Sequence, residues 1–167
     1  MGTWGVALDS LMPTVEDSFM ESLISSEHEE LLLQLKVCLR TPQHARDLAL
    51  RRFLKALCRH GEMESALLFD GLSASADGYY LAAAAEREER DLERWLKPIS
   101  LVGLPEGSWE NYLGEMHEAI RAHFDREETE LLPRARTLYD DREWKRVGLL
   151  YAFVEQEGVI ARANQLR

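Results

Sequence analysis

The sequence predicts an all-α protein: an up-down-up-down four-helix bundle with an additional C-terminal helix. Three observations favour this fold. Apolar residues recur with the helical period in four stretches of about 20 residues each. Short segments rich in glycine, serine or proline separate the stretches, and no stretch alternates in the manner of a strand. Because helices joined by short loops pack against each other in alternating directions, the four stretches form one bundle.

The first two helices are bounded by capping signals. Thr14 precedes the first helix as a candidate cap, and Ser25–Ser26 is a candidate break within it. Thr41 precedes the second helix, with a proline at the first helical position. We expect the second helix to run to about Phe69 or Leu72.

The remaining helices are bounded by prolines and further caps. The third is expected from about Tyr79 and should stop at Pro98. The fourth follows the cap Ser108 and should end or kink at Pro133. A last helix begins after a cap at Asp140 or the next residue.

The 167 residues are enough for one domain that buries a core without disulfides. We expect residues 1–13 to form an N-terminal arm and residues 14–136 to form the bundle. Residues 137–167 should form a C-terminal helix and tail packed on it. Cys38 and Cys58 lie among apolar neighbours and are expected to be buried, reduced thiols.

The charge of the chain restricts its partners. A formal net charge of -10 argues against nucleic acid, since phosphate binding needs a basic surface, and against anionic lipid. The N-terminal residues lack the pattern of a signal peptide, and no stretch is apolar enough to span a membrane. We therefore expect a cytoplasmic protein without a membrane or nucleic-acid partner, and the oligomeric state stays open.

One sequence pattern occurs twice. His60 is followed by Glu64, and His123 by Glu127; in both stretches an apolar pair stands at the eighth and ninth positions after the histidine. Residues at i and i+4 share one face of a helix, so each pair can direct an imidazole and a carboxylate at the same point. A single pair could be an ordinary surface pair worth about 0.2–0.5 kcal/mol. The shared spacing, on the apolar stripe of each helix, favours a metal site.

The other two helices also carry a polar residue on the face that they must bury. His28 lies on the stripe of the first helix and Glu89 on that of the third, where Glu93 is an alternative; Glu128 is an alternative to Glu127. A charge inside a core is costly unless it is paired or bound to a metal. Histidine and carboxylate ligands together suit iron, manganese or zinc. The candidate metal ligands are therefore His28, His60, Glu64, Glu89, His123 and Glu127, with Glu62, Glu86, Glu128 or backbone carbonyls as their expected outer hydrogen-bond partners.

These residues resemble those of a known family. The segment Ser26–Leu32, the two His-x-x-x-Glu stretches and the segment Glu88–Leu92 resemble a divergent hemerythrin-like (HHE cation-binding) domain, over about Val15–Pro133. The resemblance implies a four-helix bundle around a non-haem di-iron centre. It also implies that His28 and the two His/Glu pairs occupy iron-binding positions.

The third helix departs from the family pattern. In the family it carries one or two ligand histidines, whereas here it has none and Glu89 or Glu93 stands at that register. Anionic ligands favour higher oxidation states, which puts reversible oxygen carriage in doubt. The departure favours oxidase-like or peroxidase-like chemistry, manganese or mixed metals, iron holding, or a site that has lost metal.

Three function hypotheses follow. The first is a non-haem metal-binding protein with two iron ions, or manganese or zinc, that reacts with or senses dioxygen or peroxide. No organic nucleophile is evident, so any catalysis would belong to the metal, and whether the protein is an enzyme stays open. The alternative is a metal-free helical interaction or regulatory domain with a degenerate site, for which Glu89 and Gly61 are the sequence support. A mononuclear zinc or iron site is a third possibility.

Overall fold

The computed structural model describes residues 18–101 and 108–165, and for residues 43, 73–74, 93–101 and 157–165 it describes the backbone alone. The described backbone contains α-helices and no strand, which confirms the all-α prediction. Its α-helices are α1 (Phe19–Arg40), α2 (Gln43–Glu64), α3 (Ala76–Leu101), α4 (Trp109–Arg126), α5 (Leu132–Leu138) and α6 (Asp141–Gln165).

Helix α1 is the central element of the bundle. It packs against α2, α4 and the C-terminal helix α6, while α3 packs against α4 and α5. The described core consists of two apolar clusters. One contains Ile24, Leu68 and Trp144, and the other contains Leu35 and Ile120. Between them α1 carries His28, so a polar layer separates the two apolar halves.

One π-helical turn begins directly after the first His-x-x-x-Glu motif, and another begins at the glutamate of the second. We name these π1 (Ser65–Phe69) and π2 (Glu127–Leu131). In an ideal α-helix, which turns by about 100° per residue, the ninth residue after His60 would lie about 180° away from it. The wider π turn advances the chain by a smaller angle per residue, and both members of the first apolar pair, Leu68 and Phe69, are buried.

Several predicted helix ends differ from the structure. Helix α1 continues through Ser25–Ser26, so the expected break is wrong; the cap at Thr14 and residues 1–13 lie outside the described residues. Helix α3 passes Pro98 and ends at Leu101, so the expected stop is also wrong. A proline removes one helical hydrogen bond and disfavours helical backbone at the residue before it, but it does not forbid a helix from continuing.

The fourth helix does not end at Pro133 either. After π2 it continues as α5, with this proline in the first turn of the new segment. The cap before α6 is confirmed at Asp140. Oδ1 of Asp140 accepts the backbone N–H of Glu143 at 2.7 Å, and Oε2 of Glu143 accepts that of Asp140 at 3.3 Å, which is a reciprocal capping box.

Cys38 is buried as predicted, but Cys58 is exposed, so the expectation of two buried thiols is half wrong. No helix within the described residues is long and apolar enough to cross a bilayer.

Candidate metal centre

Five polar side chains are buried between the two apolar clusters of the described bundle. They are His28 on α1, His60 and Glu64 on α2, His123 on α4 and Glu127 at the start of π2, and none is more than 2% exposed. All five were among the six candidate ligands. The sixth, Glu89 on α3, faces the same site with a side chain that is 35% exposed. The bundle therefore brings all six candidates together.

The first ligand group consists of His28, His60, Glu64 and Glu127, whose ligand atoms lie within 4.8 Å of one another. Nε2 of His28 lies 3.1 Å from Nε2 of His60 and 3.3 Å from Oε2 of Glu127. Nε2 of His60 lies 3.5 Å from Oε2 of Glu64. Atoms that bind one ion at about 2.1 Å are about 3.0–3.4 Å apart. The four side chains converge as the ligands of a single ion would.

The second ligand group consists of Glu89, His123 and Glu127. Nε2 of His123 lies 3.4 Å from Oε1 of Glu89 and 3.3 Å from Oε1 of Glu127. Glu127 belongs to both groups, and its two carboxylate oxygens face different histidines, Oε1 towards His123 and Oε2 towards His28. A carboxylate in this position can bridge two ions.

Some buried atoms of these side chains have no hydrogen-bond partner. They are Oε2 of Glu64, Nε2 of His123 and Oε2 of Glu127. A buried polar atom without a partner costs about 1–3 kcal/mol. Each of these atoms is a donor of an electron pair to a cation, so a bound metal would remove the cost at all three. The residues present therefore fit a metal centre.

The electrostatics of the site lead to the same conclusion. Burial raises the pKa of Glu64 well above its ordinary value, and the nearby charge of Glu127 raises it further. Burial also acts to raise the pKa of Glu127, but its contact with His28 and the charge of His123 outweigh burial and lower that pKa. For His123, burial favours the neutral ring, but Glu89 and Glu127 outweigh it and raise the pKa. Without metal, two buried carboxylates compete for the same few positive charges.

Gly61 makes room for Glu89. A Cβ atom at position 61 would lie 2.7 Å from Cδ and 2.9 Å from Oε1 of Glu89, closer than two such atoms can approach. From the sequence alone, Gly61 was taken as support for a degenerate site. Its position beneath the Glu89 carboxylate gives it a different role, because a side chain on α2 at this point would shift the carboxylate from the place that it occupies.

Each histidine of the site has a carboxylate against its other ring nitrogen. Nδ1 lies 2.7 Å from Glu128 in His28, 3.2 Å from Glu27 in His60 and 3.1 Å from Glu88 in His123. Such a partner fixes the orientation of the ring and leaves Nε2 to the metal. Of the expected outer partners, only Glu128 occupies this position.

Glu27 and Glu88 were missed, and so was Tyr151 of α6. Glu27 and Glu88 directly precede His28 and Glu89 in the chain, but each bonds a histidine of another helix. Tyr151 lies on the C-terminal helix, for which the sequence predicted no part in the site. It is fully buried, and its hydroxyl donates to Oε2 of Glu27 at 2.6 Å.

A cavity of about 410 Å³ lies between α2 and α3 beside the second ligand group. Its buried walls are apolar or small, formed by Leu57, Gly61, Phe69, Ala82, Ala85 and Leu92. Glu64, Glu89 and Glu127 also line it, and the exposed residues Cys58, Glu62, Asp70, Glu86 and Arg90 lie at its outer side. Glu62 and Glu86, expected as hydrogen-bond partners of ligands, line this cavity instead. The cavity connects the surface with both groups, through Glu64 of the first and Glu89 of the second.

The sequence offered Glu128 and Glu93 as alternative ligands. Glu128 is an outer partner of His28 and belongs to neither ligand group, while the side chain of Glu93 lies outside the described residues. His44 is exposed and His117 is outside both groups, so neither takes part in the site.

Comparison with known proteins gives one match. Residues 20–135, more than half of the chain, match the family model described as the hemerythrin HHE cation binding domain. This match confirms the resemblance that the motifs indicated, and its limits enclose all six candidate ligands. No curated protein and no solved structure matches the chain.

Proposed function

Because the chain belongs to the hemerythrin HHE cation-binding family, we propose that it binds two metal ions, with iron as the metal. We also propose that the centre reacts with or senses dioxygen or peroxide. The observation that carries the proposal is the position of Glu127, whose two carboxylate oxygens face separate ligand groups. A carboxylate between two groups of ligands from facing helices is the plan of a bridged di-iron bundle.

The proposed ligands divide between the two ions. His28, His60 and Glu64 would hold the first ion, and His123 and Glu89 the second, with Glu127 between them. Three imidazoles and three carboxylates suit iron, and the same set would accept manganese or zinc. Bound iron would supply one-electron or two-electron redox chemistry. The protein supplies the geometry, through a carboxylate on Nδ1 of each histidine.

The carboxylate of Glu89 supports reaction over reversible carriage. An anionic ligand stabilises the more highly charged state of an ion, so the second position would favour an oxidised metal. Gly61 supports the assignment of Glu89 as a ligand, because it removes the side chain that would displace the carboxylate.

The cavity supports access for a small reactant. It reaches the second group, which has three ligand residues where the first has four. Fewer protein ligands leave coordination positions for a small molecule. The acidic residues at the outer side would repel anions, while uncharged dioxygen and hydrogen peroxide would enter.

The alternative function is a metal-free interaction or regulatory domain of the same fold. This alternative took Glu89 and Gly61 as evidence that the site had lost its metal-binding residues. The space that Gly61 leaves for the Glu89 carboxylate, which a Cβ atom would fill, supports a part for both residues in metal binding. We therefore retain the two-metal proposal, with a location in the cytoplasm.

Metal content tests the proposal directly. Full-length protein made in iron-supplemented medium should contain two ions per chain by elemental analysis. Ferrous or manganous ion at about 100 times its dissociation constant should stabilise the fold by about 2.7 kcal/mol. For a chain of this size that stabilisation corresponds to a rise in melting temperature of about 5–10 °C. Exposure of the reduced iron form to air or peroxide should produce near-ultraviolet absorption of an oxo-bridged ferric pair.

A matched pair of double variants provides the control. His60→Ala with His123→Ala should abolish metal binding and the rise in melting temperature. His44→Ala with His117→Ala removes the same number of imidazoles outside the site and should change neither. Protein that carries no metal and gains no stability from iron, manganese or zinc would overturn the proposal in favour of the metal-free domain. One ion per chain would replace it with a mononuclear site.

A further inference from the structure

Helix α6 lies beyond the part of the chain that matches the family model, yet it reaches the candidate metal centre. We propose that Tyr151 of α6 is a positioning residue of the first ligand group, which acts through Glu27 to hold His60 in its metal-binding orientation. The inference rests on the two-metal function proposed above. It assigns to α6 a specific part in metal binding.

The Tyr151 hydroxyl, a carboxylate oxygen of Glu27 and Nδ1 of His60 are in mutual contact. The Tyr151 hydroxyl lies 2.6 Å from Oε2 of Glu27 and 3.2 Å from Nδ1 of His60. Oε2 of Glu27 itself lies 3.2 Å from the same Nδ1. The three residues come from α6, α1 and α2, so this contact joins three helices at one point.

The donors and acceptors allow one arrangement when His60 binds a metal through Nε2. Nδ1 of the neutral ring then carries the proton and must donate. The phenol has one proton, and the short contact directs it to Glu27. Nδ1–H can then donate to Oε2 of Glu27 and to the phenol oxygen, both at 3.2 Å. Tyr151 holds the carboxylate that selects the tautomer.

A neighbouring contact keeps α6 in place for this role. Arg59 directly precedes His60, and its Nη2 atom donates to the carbonyl oxygen of Val154 at 2.7 Å and to that of Glu155 at 3.2 Å. These carbonyls lie one turn after Tyr151 on α6. The residue before the ligand thus anchors the helix that positions the ligand.

The other two histidines are held without α6. Glu128, the partner of His28, accepts from Ser25 Oγ, and Glu88, the partner of His123, accepts from Arg126. Tyr151 contacts the partner of one histidine in the first group and nothing in the second group. The proposal therefore predicts an effect on one ion and not on both.

The test is calorimetric titration of full-length, metal-free protein with manganous ion. Tyr151→Phe keeps the ring and removes the hydroxyl. Because the ligands that belong only to the first group are all buried whereas Glu89 of the second is partly exposed, we expect the first group to give the tighter of the two binding steps. Loss of the Tyr151 hydroxyl should weaken that step by about 10–100-fold, the usual effect of removing an outer partner, and leave the weaker step within about threefold. If wild-type protein binds one ion, the same loss is expected for that ion.

Two further variants separate positioning from stability. Tyr139→Phe removes a hydroxyl with an equally short hydrogen bond, 2.6 Å to the carbonyl of Leu68, away from the ligands. It should lower the melting temperature of the metal-free protein about as much as Tyr151→Phe and leave both binding steps unchanged. Glu88→Ala should weaken the other step, because Glu88 supports His123.

The outcomes are distinct. Equal metal affinity in Tyr151→Phe and Tyr139→Phe, or an equal loss at both binding steps of Tyr151→Phe, would overturn the inference and leave the two-metal function standing. Wild-type protein that binds no metal would overturn the proposed function itself, and with it this inference.

Discussion

The half of the metal centre held by α1 and α2 is closed because its ligand side chains are buried, whereas the half held by α3 and α4 is open because its ligand Glu89 is partly exposed. The cavity touches both halves, at Glu64 and at Glu89. In the closed half, His28, His60 and Glu64 are each at most 2% exposed. In the open half, the Glu89 side chain is 35% exposed and lines a cavity of about 410 Å³. A closed ligand group suits retention of an ion, and an open one suits the binding of a small reactant. If the centre binds two ions as proposed, we expect the first to be retained and the second to react.

The support of the histidines differs in the same way. His60 is hydrogen-bonded to Glu27, which accepts from the fully buried Tyr151. His123 is hydrogen-bonded to Glu88, which accepts from the half-exposed Arg126. Hydrogen bonds that are shielded from water are stronger than exposed ones. The closed half should therefore bind its ion more tightly than the open half.

The largest effect is expected from the residue that belongs to both halves. Glu127→Ala removes a ligand from each ion, so both should be lost in elemental analysis. The rise in melting temperature on addition of iron or manganese should disappear. The measurement is the difference between metal-loaded and metal-free melting temperatures, since the substitution also changes the packing of the metal-free core.

Glu130→Ala is the control for this change. Glu130 lies in the same π turn but is exposed and belongs to neither ligand group. It should retain two ions and the full rise in melting temperature. If Glu127→Ala keeps one ion, Glu127 does not bridge and the two halves bind independently.

The closed half was largely predictable from the sequence. His60 and Glu64 share a helix face by their spacing alone, and His28 lies on an apolar stripe that the bundle must bury. Periodicity determines which face of a helix is buried, and a charge on that face needs an explanation. The same rule found His123 and Glu127. These inferences need only the geometry of single helices.

The remaining features of the site depend on contacts between helices. Tyr151 becomes an outer partner only because α6 crosses α1 at Glu27, and Gly61 is explained only by the side chain of Glu89 on α3. Periodicity does not give these inter-helical contacts. The end of α3 beyond Pro98 was missed for another reason, since a proline disfavours but does not forbid helical backbone at the residue before it.

The next effect concerns the metal-free state of the closed half. The fold raises the pKa of Glu64 above its ordinary value of 4.5. The folded protein therefore binds this proton more tightly than the unfolded chain. The contribution of Glu64 to the free energy of unfolding is fully present below pH 4.5. It is lost as the pH rises from there through the raised pKa. Glu64→Gln removes the titration, so the metal-free variant should be more stable than wild type at neutral pH.

The same substitution should weaken metal binding, so its two effects have opposite signs. Denaturant unfolding of metal-free protein at acidic and neutral pH measures the first, and titration with manganese measures the second. A variant whose unfolding free energy keeps the wild-type pH dependence would show that another group titrates in this layer.

A change confined to the open half is expected from Gly61→Ala. The new methyl group would displace the Glu89 carboxylate, so the second ion should bind about 10–100-fold more weakly, as when a ligand loses its support. The first ion should be unaffected. Because alanine favours the helix by up to about 1 kcal/mol, metal-free protein should be no less stable than wild type.

Gly114→Ala is the matched control, since a Cβ at Gly114 would meet nothing within 4 Å. It should give the same gain in helix stability and leave both ions in place. Loss of the first ion in Gly61→Ala would mean that the two halves are not separable, and would weaken the comparison.

The smallest effect is expected at the exposed edge of the open half. Nε of Arg126 lies 3.0 and 3.1 Å from the two oxygens of Glu88, which supports Nδ1 of His123. An exposed ion pair contributes about 0.2–1 kcal/mol, so Arg126→Ala should weaken the second ion by no more than about fivefold. Salt screens such pairs, so the difference should shrink in 1 M salt.

The sign of this last effect separates a local cause from a general one. The chain has a net charge of -10. Loss of any cationic side chain makes its surface more negative, so the surface attracts cations more strongly. Arg121→Ala removes an exposed arginine of the same helix whose partner, Glu118, contacts no ligand of the site. It should leave manganese binding unchanged or slightly tighter. Weaker binding of the second ion in Arg126→Ala alone would then come from Glu88 and His123, and equal changes in both variants would remove Arg126 from the support of the open half.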